Sequence, residues 1–222
     1  MPAYSKSVTT IRKHKDSENV GFAILSAGVG SRIKTYEPRS LIKIKDKNLI
    51  DHQVNAIESK FKDPEIIGVF GPNMPKIVKN IGRNVRIVEN QLYETTNNSE
   101  SLRLALNNSV KNSLMFIHGD ILIDETFFSS LNFNRSFVVY EDRGMMDEKE
   151  VGLTIMKNKA TILSYGLEEK WCHAAFFKGK ELKILRNIFN SFTKQDKKML
   201  TFEVINKIID SGGTFQAQKL EK

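Results

Sequence analysis

Short apolar runs alternate with helical segments through the first half of the chain. Four runs have the length and residue types of buried strands, at residues 20–25, 65–70, 85–88 and 113–118. An apolar stripe at helical spacing covers residues 49–61, and Pro75 begins a shorter helix over 75–81. Residues 41–44 alternate like a short strand. Strands that alternate with helices predict a largely parallel sheet with crossover helices.

The second half has a different pattern. A strand at 137–140 is followed by a charged stretch, 141–150, which we interpret as a loop that overhangs the ligand site. Strands at 151–156, 161–163 and 171–177, with a turn at 158–159, predict a meander. Amphipathic helices at 182–192 and 199–209 precede a last strand at 214–220, and the glycines at 212 and 213 end the second helix.

These elements together predict one α/β domain over residues 20–222. We expect a Rossmann-like mixed, mostly parallel sheet with helices on both faces. Residues 1–19 are polar and basic and form an N-terminal arm, which could be a tail, a lid or a packing strand.

Composition supports a folded domain that binds anions. Of 222 residues, 40% are hydrophobic and 14 are Phe, which excludes a disordered chain. The formal net charge is +8, which suits anionic ligands, although many lysines lie in helical segments that are solvated in any soluble protein. The sequence has neither zinc-finger spacing nor an aromatic RNA-binding signature, and this argues against a nucleic-acid partner.

Cysteine content and hydropathy indicate the compartment. Cys172 is the single cysteine, so it forms no intramolecular disulfide, and we interpret it as a small buried hydrophobic residue. No apolar run reaches membrane-spanning length, and the N-terminal residues lack the core of a signal peptide. We expect a cytoplasmic protein with no membrane partner. The oligomeric state is left open.

The loop after the first strand carries the strongest chemical signal. Gly28 and Gly30 are two residues apart, and glycine lets backbone N–H groups approach phosphate oxygens closely. Arg32 adds a planar donor fork suited to phosphate, and Pro38 bends the chain before a second cation, Arg39. The pattern predicts a phosphate-binding loop, and the alternative is a tight strand-to-helix turn.

Two common nucleotide motifs are excluded at this loop. Ile33 stands where the third glycine of a dinucleotide fingerprint would be. The loop also lacks the Gly-Lys-Ser/Thr of a P-loop. The phosphate would therefore be held by another kind of glycine loop.

These residues resemble the signature of nucleotidyltransferases that join an NTP to a sugar phosphate or phosphocholine and release pyrophosphate. The signature is a strand, Ala-Gly-x-Gly-x-Arg, a spacer and Pro-Lys-x-Leu. Here it reads Ala27-Gly-Val-Gly-Ser-Arg32 and Pro38-Arg-Ser-Leu41, so Arg39 replaces the family lysine. The resemblance implies a nucleotide-diphospho-sugar transferase-like fold, with Arg32 and Arg39 as catalytic cations. It also implies a set of nucleotide-binding residues in this loop: Leu25, Ala27, Gly28, Gly30, Ser31 and Arg32.

A second loop follows the strand at 85–88 and is rich in asparagine. Asn90, Asn97 and Asn98 each offer donors and an acceptor that could read the edge of a base. The alternative is that Asn98 or Ser99 caps the next helix. The stretch resembles the Asn…Tyr…Thr-Asn-Asn…Ser-Leu pattern of phosphocholine cytidylyltransferases.

A third loop follows the strand at 113–118. Asp120 comes after a glycine at the end of this strand, where its carboxylate could bind Mg²⁺, and the resemblance gives Asp120 that role. The alternative is a turn or helix-cap residue. Asp124 lies four residues further on. His118 has no second His or Cys at zinc-ligand spacing, so we interpret it as a packed strand residue.

Two further positions are interpreted by the resemblance. Relatives with sugar substrates carry Glu-Lys before the last strand of the meander. By this resemblance Lys170 would hold the acceptor phosphate. The alternative is that residues 168–170 are an exposed run of charged residues. Relatives also hold the metal with a second acid near the C-terminus, where this chain has Glu221. We expect Asp120 to be the one firm protein ligand, with phosphate oxygens and water completing the shell.

The predicted activity is transfer of NMP from an NTP to a phosphorylated small acceptor, with Mg²⁺ as cofactor and pyrophosphate as product. Two alternatives remain. One is a nucleotide-binding protein without catalysis, which the arginine at position 39 favours. The other is a glycosyltransferase that uses a nucleotide-sugar, for which Asp120 and Asp124 would be the metal-binding acids despite their unusual spacing.

Overall fold

The computed structural model describes residues 19–28, 38–82, 84–142 and 147–220. Within them the helices are α1 (Leu49–Lys60), α2 (Met74–Asn80), α3 (Asn98–Asn108), α4 (Lys180–Asn190) and α5 (Thr201–Asp210). The strands of the first half are β1 (Val20–Ser26), β2 (Lys43–Ile44), β3 (Lys47–Asn48), β4 (Glu65–Phe70), β5 (Val85–Glu89) and β6 (Ser113–His118). Those of the second half are β7 (Phe137–Glu141), β8 (Val151–Met156), β9 (Lys159–Tyr165), β10 (Glu169–Lys178) and β11 (Phe215–Lys219).

One mixed sheet joins most of these strands, in the order β5-β4-β1-β6-β10-β7-β11-β9-β8. The strands β5, β4, β1 and β6 are parallel neighbours. Strand β10 runs antiparallel to both β6 and β7, while β11 runs parallel to β7. Strands β8 and β9 add an antiparallel hairpin, and β2 pairs with β3 separately. The predicted Rossmann-like mixed sheet is confirmed.

Helices cover both faces because the central strands are buried on both sides. Every residue of β1 is buried, and successive side chains point to opposite faces. On one face Phe22 packs in a cluster with Ile57 of α1. On the other face Leu25 packs with Leu102 of α3 and Ile205 of α5. This arrangement explains why the predicted strands are continuous apolar runs.

Several predicted boundaries differ from the structure. The hairpin between β8 and β9 turns at Lys157 and Asn158, with φ of 50° and 61°, one residue earlier than predicted. Residues 39–41 form a 3₁₀ turn, closed by the bond from Leu41 N to Pro38 O, so only Lys43–Ile44 of the predicted strand is extended. The last two helices are shifted by up to two residues, to Lys180–Asn190 and Thr201–Asp210.

Parts of three predicted segments and one candidate residue lie outside the described residues. These are the N-terminal arm up to residue 18, residues 29–37 with most of the glycine loop, residues 143–146 of the charged loop, and Glu221. Among the helices that the structure does describe, none has the length and apolar character needed to span a bilayer.

Candidate active site

The loops after β1, β5 and β6 open onto one cavity at the carboxyl ends of these strands. The parallel register aligns Leu25 of β1 with Val69 of β4 and His118 of β6, so the strand ends lie level. Ligands of such sheets bind beyond the carboxyl ends of the strands. The cavity is lined by Leu25, Ser26, Ala27, Gly28, Arg39, Asn90, Tyr93, Thr96, Asn97, Asn98, Ser101, His118 and Asp120.

The glycine loop is described only at its start. Ala27 is buried and Gly28 is exposed, and a Cβ added at Gly28 would meet no atom within 4 Å. Packing within the described protein therefore leaves open space beside Gly28. Gly30, Ser31 and Arg32 lie outside the described residues, and their roles stay predictions.

Asp120 and Arg39 form an ion pair inside the cavity. Arg39 Nη1 lies 2.6 Å from Asp120 Oδ2, and the two side chains are 29% and 46% exposed. This is the length of a charge-assisted hydrogen bond. The other carboxylate oxygen, Oδ1, has no hydrogen-bond partner in the described part of the chain, and Arg39 Nε is buried without one there. The arginine that replaces the family lysine therefore reaches the predicted metal ligand.

Hydrogen bonds with α1 and β1 fix the loop that carries Asp120. Gln53 of α1 is fully buried, and its Nε2 donates to the backbone oxygens of His118 and Ile121, at 2.9 and 2.8 Å. Gly119 N donates to Leu25 O at 2.8 Å, which ties the ends of β1 and β6 together. These bonds fix the backbone on both sides of Asp120.

Asp124 does not extend this site. Its carboxylate accepts hydrogen bonds from Thr126 N at 2.9 Å and Thr126 Oγ1 at 2.6 Å, and the bond from the Thr126 hydroxyl lowers the Asp124 pKa. It is therefore a turn residue. No cluster of three or more His, Cys, Asp or Glu side chains suited to a metal occurs in the described ranges.

His118 is a neutral, packed histidine, as predicted. Its Nε2 lies 3.2 Å from Asn98 Nδ2 and 2.8 Å from Thr201 Oγ1. Asn98 Oδ1 accepts from Thr201 N, so the amide donates to His118, and we assign the ring proton to Nδ1. Burial, with a smaller contribution from the neighbouring His173, lowers the His118 pKa to about 3. This network joins the N-termini of α3 and α5 to the end of β6.

The asparagines of the second loop mainly organise the protein. Asn90 is 2% exposed; its Nδ2 donates to Thr96 Oγ1 and Ser101 Oγ, and its Oδ1 accepts from Leu92 N. Asn97 Nδ2 donates to the backbone oxygen of Lys198. Base recognition by Asn90, Asn97 and Asn98 stays a prediction, and it would use only their remaining hydrogen-bonding capacity.

The predicted helix cap is wrong. Helix α3 begins at Asn98, so its N-cap is Asn97, and no side chain caps it. Asn98 and Ser99 are not caps because the C-terminal segment bonds to them: Ser99 Oγ donates to Asp196 O, and Asn98 accepts from Thr201 N.

Lys170 lies on β10 and is not among the residues that line the cavity. Lys170 pairs in the sheet with Glu141 of β7 and Gly152 of β8, and its Nζ lies 2.5 Å from Glu150 Oε1. The acceptor role of Lys170 therefore stays a prediction, for a neighbouring part of the site.

Sequence reasoning missed part of the cavity wall. Tyr93, Thr96 and Ser101 line it, although only the asparagines of the same loop were selected as candidates. Tyr93 packs against Gly71, where an added Cβ would lie 2.9 Å from the tyrosine ring and 2.3 Å from Ala27 O. The glycine after β4 was a usable signal, since it marks a close approach between neighbouring loops.

The mixed sheet and its carboxyl-end cavity define a nucleotide-binding α/β protein of the Rossmann-like class. The chain belongs to the MobA-like NTP transferase domain family, whose family model matches residues 22–148, more than half of the chain. The predicted nucleotidyltransferase family is thereby confirmed.

Solved structures share the whole fold. The inositol-1-phosphate CTP transferase from T. maritima superposes with a TM-score of 0.74 at 15% identity, over 91% of this chain and 85% of that one. The CTP:phosphocholine cytidylyltransferase from Streptococcus pneumoniae gives 0.70 at 22% identity, over 92% and 91%. The nucleoside-diphosphate-sugar pyrophosphorylase from Vibrio cholerae RC9 gives 0.66 at 12%, over 89% and 91%. No curated protein sequence matches the chain significantly.

Proposed function

We infer that this NTP transferase is a Mg²⁺-dependent enzyme that moves NMP from an NTP to the phosphate of a small phosphorylated acceptor, releasing pyrophosphate. The observation that carries the proposal is the meeting of Gly28, Arg39 and Asp120 in one cavity. A backbone that can cradle phosphate, a fixed cation and a carboxylate are the groups that phosphoryl chemistry needs.

Similar proteins support the acceptor class. The two structures with cytidylyl activity in their names act on inositol 1-phosphate and phosphocholine. Both acceptors are small phosphate monoesters. Such a phosphate is already anionic near neutral pH, so its oxygen needs no general base to become a nucleophile. The proposal therefore asks the chain for positioning and charge neutralisation rather than for proton abstraction.

The cavity fits a magnesium ion bound together with substrate. Asp120 projects a half-exposed carboxylate whose Oδ1 receives no hydrogen bond from the described residues, and hard oxygen ligands suit Mg²⁺. Phosphate oxygens and water would supply the other ligands. When bound, Mg²⁺ would neutralise phosphate charge and polarise the α-phosphoryl group.

The chain's own residues would bind the two substrates and position Asp120. Backbone groups at Gly28 and beyond would hold the triphosphate, and Arg39 would offset charge on the leaving pyrophosphate. Lys170 would bind the acceptor phosphate from β10. The buried network of Gln53 and Gly119 keeps Asp120 in place before substrate arrives.

The ion pair also favours a second candidate, a nucleotide-binding protein without turnover. With Arg39 Nη1 only 2.6 Å from Asp120 Oδ2, the arginine occupies part of the shell that a cation needs. If Arg39 stays there when NTP binds, metal-assisted transfer is blocked.

Pyrophosphate release across a matrix of substrates tests both candidates. CTP, UTP, dTTP, ATP and GTP would each be combined with inositol 1-phosphate, phosphocholine and glucose 1-phosphate at saturating Mg²⁺. We expect one NTP and one acceptor class to give turnover. Measurable NTP binding without turnover for any pair would establish the silent candidate instead.

Asp120→Asn, measured in the same assay, tests whether Asp120 is the metal ligand. The amide is nearly isosteric and can still accept from Arg39, so the fold should persist. Loss of the anionic ligand should lower kcat by orders of magnitude, since metal-assisted charge stabilisation contributes several kcal/mol. Normal turnover of Asp120→Asn in Mg²⁺ would show that Asp120 is only a turn residue.

A cytoplasmic location is part of the same proposal. The single cysteine, Cys172, supports a reducing compartment.

A further inference from the structure

Strand β10 has an irregularity beside the site. Trp171 pairs with Tyr140 of β7, and Ala175 pairs with Val138, so β10 advances four residues while β7 advances two. Two residues of β10 are therefore extra. In this bulge His173 has φ of 51°, a left-handed conformation that side chains with a Cβ rarely adopt. Bulges that re-aim a side chain, and strained residues, are both concentrated at active sites.

The bulge lies at the edge of the sheet where the cavity opens. The next residue, Ala174, pairs with Ile117 of β6, which places His173 beside the end of that strand. Its ring centroid lies 5.0 Å from that of His118 and 4.9 Å from that of Trp171. His173 therefore packs against His118, a residue that lines the cavity.

Three charged groups act on this ring. Burial lowers the His173 pKa and outweighs Asp120 and Glu150, which raise it, and Lys170 lowers it as well. The ring therefore lies within electrostatic range of both Asp120, the proposed metal ligand, and Lys170, the proposed acceptor lysine. A neutral ring carries one N–H group and one acceptor nitrogen.

The ring nitrogen Nδ1 is buried and has no hydrogen-bond partner in the described residues. A buried polar atom of this kind is unfavourable for folding unless a ligand satisfies it. The unpaired Nδ1 and the strained backbone of His173 occur at the same residue. Neither feature stabilises the fold, and both are typical of residues that bind a ligand.

We propose that His173 binds the phosphate of the acceptor, donating its Nδ1–H to a phosphate oxygen while Lys170 supplies the positive charge. The proposal rests on the transferase function inferred above. Two residues of β10 then have different roles. Lys170 attracts the acceptor phosphate, and the ring N–H of His173 orients that phosphate toward the NTP. A directed hydrogen bond of this kind favours in-line attack.

Two substitutions separate binding from structure. His173→Gly removes the ring and suits the left-handed φ, so relief of backbone strain offsets part of the lost ring packing and the variant should still fold. His173→Asn also tolerates this φ and places an amide donor near the position of Nδ1. The probe is whichever of inositol 1-phosphate, phosphocholine and glucose 1-phosphate the wild type uses best.

We expect His173→Gly to raise the acceptor KM about 10-fold or more, the effect of losing a hydrogen bond to a charged group. The NTP KM should not change, because the nucleotide cavity is intact. His173→Asn should recover most of the acceptor affinity. Calorimetric titration of the acceptor into protein holding a non-hydrolysable NTP analogue should show the same order of affinities.

Three results would overturn the proposal. An acceptor KM in His173→Gly equal to that of the wild type would show that the ring does not touch the acceptor. Equal losses in His173→Gly and His173→Asn would show that the residue only shapes the bulge. A wild type that turns over no pair in the matrix would reject the transferase function itself, which is a distinct outcome because the variants then have no activity to lose.

Discussion

At the scale of single residues, Arg39 is the position where this chain departs from the signature it resembles. A lysine is a compact point charge, whereas an arginine is permanently charged and can hold an anion with two parallel bonds. In the structure Arg39 uses one of its donors, Nη1, to bind Asp120 Oδ2. The pair keeps both charges satisfied before substrate enters, and a triphosphate would then compete with Asp120 for the guanidinium.

The first prediction concerns this competition. Arg39→Ala should weaken NTP binding and turnover, because charge on the triphosphate is no longer offset. It should also bind Mn²⁺ more tightly in the absence of NTP, because Asp120 is released. Electron paramagnetic resonance titrations of Mn²⁺ with and without NTP measure metal binding, and pyrophosphate release measures turnover.

Arg39→Lys is the control for that experiment, since it keeps the charge and restores the family residue. We expect its NTP affinity to lie close to that of the wild type. In the wild type, Mn²⁺ affinity should be weak without NTP and should rise when NTP binds. Tight Mn²⁺ binding by the NTP-free wild type would reveal a protein ligand beyond Asp120.

A second prediction follows from the lowered pKa of His118. Its folded pKa of about 3 lies below the ordinary value of 6.5, so the unfolded chain binds more protons between these values. The stability from its neutral form is complete above pH 6.5 and is lost as the pH falls toward 3. Urea unfolding should therefore give a free energy of unfolding that decreases over this window.

The control for the pH series is His118→Gln. Its amide oxygen can still accept from Asn98 and Thr201, but the side chain does not titrate. Unfolding of the variant should take up one proton fewer in this pH window, so its free energy of unfolding should decrease less steeply on acidification. Some slope should remain, because burial also lowers the pKa of His173. Identical pH profiles for the two proteins would refute the neutral assignment of His118.

At the scale of elements, the site depends on how closely β1 and β6 approach. Gly119 follows β6, and a Cβ added there would lie 2.5 Å from Ser26 Cβ and 3.0 Å from Leu25 O. Since Ser26 ends β1, any side chain at position 119 pushes the two strand ends apart. The Asp120 loop would move with them, despite the bonds from Gln53.

The third prediction compares two glycines. Gly119→Ala should cost about 1–3 kcal/mol of stability, the usual range for overpacking, and should lower turnover by displacing Asp120. Gly82→Ala is the matched control, because an added Cβ at Gly82 meets nothing within 4 Å. Urea midpoints and steady-state rates give both quantities. Equal stability of the two variants would mean that the strand ends can separate without loss.

The asparagine-rich loop after β5 is held in place by a segment that lies far away in the sequence. Its asparagines are anchored by a segment about a hundred residues later: Asn97 N donates to Lys197 O, and Asn98 accepts from Thr201 N. Buried Glu100 adds an ion pair with Lys197, at 3.2 Å. The segment from Lys197 to Thr201, which leads into α5, therefore positions this side of the cavity without lining it.

At the scale of the whole molecule, charge is the dominant property. The protein carries +8 at neutral pH, whereas an NTP and a phosphorylated acceptor are both anions. Opposite net charges speed and strengthen encounter, and salt screens the attraction over about 10 Å at 0.1 M.

The fourth prediction is a salt dependence. Raising NaCl from about 0.05 to about 0.5 M should increase the KM for NTP several-fold, with little change in kcat. Sucrose at matched osmolality is the control for viscosity and hydration, and it should leave KM unchanged. A KM that is insensitive to salt would mean that the positive charge lies away from the approach to the cavity.

The sequence alone determined the order and type of most elements. Continuous apolar runs of about six residues, such as 20–25 and 113–118, are typical of buried strands, and helical stripes such as 49–61 predict the covering helices. The glycine loop and Asp120 were identified because strand-end residues of a parallel sheet meet at one edge. These features depend on local pattern and on a general rule of topology.

The tertiary structure decided what each candidate side chain contacts. That Arg39 reaches Asp120, that Gln53 holds the loop behind it, and that Asn98 accepts from Thr201 depend on residues far apart in the chain. The bulge at His173 likewise arises from unequal pairing of β10 with β6 and β7. Sequence periodicity reports burial of a face, but a contact between distant side chains is set by packing and register, and only the folded chain fixes those.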